Sequence, residues 1–172
     1  AVAKGLDMSQ EARMARAREM GFDTETVLYH GRRLDFAAFD PAFGRNGEAG
    51  VGIHVGTSEQ ALTRTKDYKP KFSFLGVDFG EIEIDAEGGN IVPLFIRTRN
   101  PIRLKDVEIW SPGRIAQELK KQGIDVPQWP ANASDIHDAL AARGYDGIIY
   151  KNDFEGTKSE DSFIIFDPSN IR

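Results

Sequence analysis

The chain has 172 residues, 40% hydrophobic and 28% charged, with 22 Lys and Arg against 27 Asp and Glu for a formal net charge of −5. That length fits one domain with a core of its own, and the composition excludes a disordered tail or a fibrous protein. The acidic balance leaves no global basic field for nucleic acid or an anionic membrane, and no apolar run is long enough to span a bilayer. With no cysteine, disulfides, thiolate zinc sites and a cysteine nucleophile are excluded as well. The expectation is a soluble domain which, beginning at Ala1 and ending just past a strand-like run, reads as part of a longer protein.

In chain order, Asp7 and Gln10 bracket a capping-box-like start to a helix over Met8–Met20, built from good helix formers and ended by Gly21. Thr26–His30 is a short β-rich run closed by Gly31, followed to Gly50 by a loop that Phe36, Phe39 and Phe43 are expected to pin to the body. Val51–Val55 reads as a strand among glycines, and Ser58 opens a short helix running toward Asp67. Glu81–Asp85 alternates strictly, turns at residues 87–90 and resumes over Ile91–Arg97, which predicts a hairpin of these two runs. Ser111-Pro112 predicts a helix toward Gly123, and Ser134 a second one that Gly144 ends. Gly147–Lys151 and Ser162–Phe166 are strands on either side of a polar loop. Strands at both ends with helices between them predict an α+β domain with a mostly antiparallel core, and neither GxGxxG nor GxxxxGK[ST] occurs.

Three separated segments place ligand-capable residues beside glycines at strand ends. In Tyr29-His30-Gly31 the imidazole can hold a hydroxyl while Gly31 lets backbone approach a flat ligand; a structural histidine at a turn is the alternative. In the run from Gly50 to Ser58, His54 points away from the face of Ile53 and Val55; it can stack on a heterocycle, or simply lie on a bent edge strand. The acidic loop from Glu155 to Ser162 either brings a carboxylate to a ribose or is a solvated loop, and alternation puts Glu160 and Ser162 on one face of the last strand.

In this order the three motifs resemble the ADP-ribosyltransferase fold, in the branch related to diphtheria toxin and the poly-ADP-ribose polymerases, and above all its phage and mobile-element members found in polyvalent proteins and toxin tips. Asn100-Pro101, Gly144–Ile149 and the closing Asp161–Pro168 add to the likeness. The resemblance implies a split antiparallel β-sheet core with flanking helices over 26–172, preceded over 1–25 by a helical linker or docking segment. It implies NAD as co-substrate and no metal. His30 and Gly31 would hold NAD beside Tyr29, and His54 would stand where the family's stacking Tyr lies. Gly52, Thr57 and Ser58 belong to the same segment, and Tyr68 lies near a second stacking position.

Ser162 occupies the place of the family's catalytic Glu, which leaves Glu160, two residues earlier on the same face, or the loop residue Glu155 to supply the carboxylate. Glu160 is the first choice. The activity implied is mono-ADP-ribosyl transfer of the phage or bacterial toxin and effector type. It releases nicotinamide to a macromolecular acceptor, a protein before a nucleic acid, with an immunity or host partner conceivable and no membrane involved. An NAD glycohydrolase and a non-catalytic binding module are the alternatives.

Overall fold

The computed structural model describes residues 5–32, 39, 51–126 and 132–172. Its elements, in order, are helix α1 (Gln10–Glu19), strands β1 (Leu28–Arg32) and β2 (Ile53–Val55), helix α2 (Ser58–Thr63), strands β3 (Lys66–Phe74), β4 (Val77–Asp85), β5 (Asn90–Leu94) and β6 (Pro101–Leu104), helices α3 (Pro112–Lys121) and α4 (Ala133–Ala141), and strands β7 (Gly147–Asn152) and β8 (Glu160–Ile165). Four strands form the main sheet in the order β2-β8-β7-β6, antiparallel except for β6–β7, while β1 and β5 form a separate antiparallel pair. The two are joined where Tyr29 and Gly56 exchange backbone hydrogen bonds of 2.8 and 3.0 Å. This is the expected α+β, antiparallel-dominated architecture, its strands divided between these two sheets and a separate two-stranded sheet of β3 and β4.

The period of two along the strands separates two apolar layers. Ile148, Tyr150 and Ile164 face α3 and α4, whose Ile115, Leu119, Ile136 and Leu140 are fully buried at helical spacing. Leu28, Val55, Leu94 and Ile165 form the second cluster, with Phe39 packed against it. Phe36 and Phe43, the other two residues expected to pin that loop, lie outside the described residues. The last residues close the second layer through the Ile96–Ile171 bridge.

Several local expectations are corrected. Glu81–Asp85 does form a hairpin, but with β3, whereas the run after residue 90 pairs with β1. The turn lies at Leu75-Gly76, both at positive φ (50° and 77°), the backbone that a two-residue hairpin loop requires. Helix α2 stops at Thr63 instead of running to Asp67, because Lys66 already pairs with Asp85 across the hairpin. The cap of α1 is Ser9, whose side chain accepts from the Ala12 amide, while Asp7 accepts from the Ser9 amide. Asn132, not Ser134, caps α4, since its carbonyl oxygen takes the Asp135 amide at 2.9 Å as well as the Ser134 hydroxyl.

Candidate active site

The site lies at the seam between the two sheets. Gly31 packs against α2 so closely that a Cβ there would run into the Ala61 carbonyl oxygen, and His30 Nδ1 donates to the His54 carbonyl at 2.8 Å. That bond assigns the proton of a neutral His30 to Nδ1. Burial pushes the pKa of His30 down, the bond to His54 partly offsets this, and the charges of Arg64 and Arg32 add to the lowering.

His54 is buried on the helix-covered face of β2, opposite Ile164, with the Trp110 ring edge-on at 6.3 Å. Neither of its ring nitrogens has a hydrogen-bond partner among the described residues. Burial holds its pKa well below the ordinary value, with Arg64 and then His30 adding to the effect, so the ring is neutral at pH 7.

Below these rings a chain of polar contacts links α2, β8 and β7. Thr57 and Gln60 form a reciprocal capping box. The Gln60 side chain then reaches beyond it: Oε1 accepts from the Ser162 hydroxyl at 2.8 Å and Nε2 donates to the Glu160 carbonyl at 3.1 Å. Ser162 in turn accepts from Asn152 Nδ2 at 3.1 Å, and the same Nδ2 donates to Glu155 Oε2 at 2.7 Å. Arg64, just past the end of α2, places Nη2 3.1 Å from both Glu155 oxygens.

These groups line a small, partly open cleft whose walls are Tyr29, His54, Gln60, Arg64, Tyr150, Glu155 and Ser162, with Gly56 and Ala61 supplying its apolar side together with Val55. Among the described residues, Arg64 is the one cation and Glu155 the one carboxylate that line it. The Tyr150 phenol packs on Trp110 at 4.1 Å, and its pKa is pushed up to about 12, chiefly by burial. It therefore enters the cleft as a neutral hydroxyl.

Of the residues singled out from sequence, Tyr29, His54, Glu155 and Ser162 come together in the cleft, with His30 and Gly31 on the strand beside it. Thr57 and Ser58 open α2, and Gly52 lies against the Ile165 backbone, where a Cβ would come 2.6 Å from the carbonyl oxygen. The Glu160 side chain is exposed and is not among the cleft-lining groups, although its carbonyl anchors Gln60. Tyr68 is on β3 opposite Glu83, and its side chain lies outside the described residues. Sequence reasoning missed Gln60, Arg64, Asn152 and Tyr150. Gln60 carried a signal as the fourth residue of a Thr-x-x-Gln capping box, whereas the other three had none.

A family model described as ADP-Ribosyltransferase in polyvalent proteins matches residues 23–172. The chain belongs to this family of ADP-ribosyltransferases. Comparison with curated proteins and with solved structures gives no match. ADP-ribosyltransferase domains use NAD as co-substrate together with an acceptor. The cleft fits such a ligand in one testable respect, because His54 among its lining residues is buried with a ring donor and a ring acceptor that have no partner among the described residues. Among the described residues no group of three or more His, Asp or Glu could hold a metal ion, and no helix is long and apolar enough to cross a membrane.

Proposed function

We propose that this ADP-ribosyltransferase domain cleaves the nicotinamide–ribose bond of NAD and passes ADP-ribose to a macromolecular acceptor, with Glu155 as the carboxylate at the reacting centre. The observation that carries this reading is that, among the described residues, Glu155 is the sole lining carboxylate of a cleft whose buried His54 has no hydrogen-bond partner. NAD supplies a glycosidic bond whose departure leaves positive charge on the ribose, and a preplaced anion stabilises that charge in a water-poor site. Glu155 is 22% exposed and keeps its orientation through Arg64 and Asn152. Placement supports Glu155 over Glu160, whose side chain points to solvent. Ser162 donates to Gln60 and accepts from Asn152, so in this reading its hydroxyl holds the site and takes no part in bond cleavage. His30 and Gly31 hold the ligand at the rim, and His54 meets the nicotinamide end as a neutral ring.

The test is nicotinamide release from NAD by the purified domain, alone and with cell lysate, for the parent, Glu155→Gln, Glu160→Ala and His30→Ala. Glu155→Gln is expected to lower kcat about 100-fold, the usual loss of one transition-state electrostatic contact, and Glu160→Ala to change it less than about threefold. Labelled ADP-ribose should appear on lysate macromolecules. Release that survives Glu155→Gln and is lost in Glu160→Ala would overturn the assignment, and free ADP-ribose with no labelled target would make the enzyme a glycohydrolase.

A further inference from the structure

We infer that Asn152 is a positioning residue that turns the Glu155 carboxylate into the cleft and ties it to α2. This rests on the reading of Glu155 as the reacting carboxylate. Asn152 is the last residue of β7 and is 2% exposed, yet every polar hydrogen of its amide is used. Its Oδ1 accepts the backbone amides of Phe154 and Glu155 at 3.2 and 3.0 Å, which turns the chain out of the strand. Its Nδ2 donates to Glu155 Oε2 at 2.7 Å and to Ser162 Oγ at 3.1 Å. One side chain thus grips Glu155 at both ends, by its backbone N–H and by its carboxylate.

The orientation of that amide is dictated by its neighbours. Rotating it by half a turn would set the NH2 group against two backbone N–H donors and the carbonyl oxygen against the Glu155 carboxylate. Ser162 adds a further constraint. Its proton is committed to Gln60 Oε1, which leaves it lone pairs, and no proton, for Asn152. Gln60 is in turn held by the capping box of α2, the helix that ends in Arg64. The residue standing at the family's Glu position therefore has a role here as the relay between α2 and the loop carboxylate.

Asn152→Asp separates positioning from a purely structural role. It is isosteric and keeps the acceptor that makes the turn, but it loses the donor and sets a second carboxylate against Glu155. The expected result is a fall in kcat for nicotinamide release of about 10- to 100-fold, as misplacing a reacting group by about 1 Å produces, with KM for NAD within about twofold. Combined with Glu155→Gln, the Asp substitution should cost nothing more, because Asn152 acts through that carboxylate. Ser162→Ala, which deletes both relay bonds of the hydroxyl and leaves the turn intact, should lower kcat several-fold, and provides the test if the buried Asp disturbs folding.

A readout independent of activity is the 13C resonance of the Glu155 carboxyl carbon at neutral pH, expected to shift in Asn152→Ala. Full kcat in Asn152→Asp, or an equal further loss on the Glu155→Gln background, would overturn the inference, as would an unmoved carboxyl resonance. If the parent domain releases no nicotinamide, the reading of the activity fails, while the resonance still decides whether Asn152 holds Glu155.

Discussion

Replacing Gly31 by Ala tests the packing that brings β1, α2 and the cleft together. A Cβ at this position would run into the Ala61 carbonyl oxygen, 2.9 Å from the Ala61 carbonyl carbon and 3.0 Å from Arg64 Cβ. Two of the three obstacles are backbone, so no side-chain rotation relieves them, and β1 must separate from α2 by on the order of 1 Å. Overpacking of this kind costs about 3 kcal/mol, the upper part of the usual range, because helix and strand have to move as units. For a domain of this size that lowers Tm by roughly 6–12 °C. The displacement acts on the end of α2 that carries Arg64, so the Arg64–Glu155 pair loosens and nicotinamide release should fall with stability. Thermal unfolding followed by circular dichroism, with release assayed well below Tm, measures both. A Gly31→Ala protein with Tm within about 2 °C of the parent would refute the argument, since it would mean that β1 and α2 are free to move apart.

Gly113→Ala is the matched opposite: a Cβ there meets nothing within 4 Å, in the first turn of α3, so the exchange should raise Tm by about 1–3 °C through helix propensity and unfolded-state entropy. His54→Phe removes two buried nitrogens that have no partner among the described residues and should stabilise the ligand-free domain by about 1 kcal/mol while weakening NAD turnover; a variant that loses stability and keeps full activity would count against a ligand-binding His54. Stability should also decline with acid below about pH 6.5, the ordinary histidine value. The folded-state pKa values of His30 and His54 lie below it, so the unfolded chain binds protons that the folded rings refuse. Well below that pH the slope approaches about 1.4 kcal/mol per pH unit for the buried His54 ring, and urea titrations at pH 7, 6 and 5 should show it for the parent and a shallower decline for His54→Phe.

Much of the fold was legible because local chemistry and global structure agree. Ser111-Pro112 and Gly123, the latter at φ 76°, delimit α3 as the sequence predicts, and alternation along the last strand correctly put Ser162 and Ile164 on one face, where both are buried. The pairing of the middle strands was not legible. Glu81–Asp85 alternates whichever neighbour it takes, and the turn that decides its partner lies at Leu75, a residue type that seldom signals positive φ. In the site, the His30-Gly31 pair could be read from order alone, although both lie within β1 and not at the strand end that the sequence suggested, whereas which carboxylate faces the cleft could not.

Asn152 shows where that limit comes from. As a letter it is the polar residue after a strand, and only its contacts with Glu155 and Ser162, three and ten positions on, distinguish it from a loop asparagine. Gln60 and Ser162 are 102 residues apart in the chain and 2.8 Å apart in space. The sequence by itself determined the helices α1, α3 and α4, the strands that carry the three motifs and the likeness to the family, since periodicity, caps and motif order are local properties of the chain, but it left β3 and β6 unread. The tertiary structure alone decided the partner of β4, the burial of His54 and the delivery of Glu155, because these depend on hydrogen bonds and burial between residues that no local pattern relates.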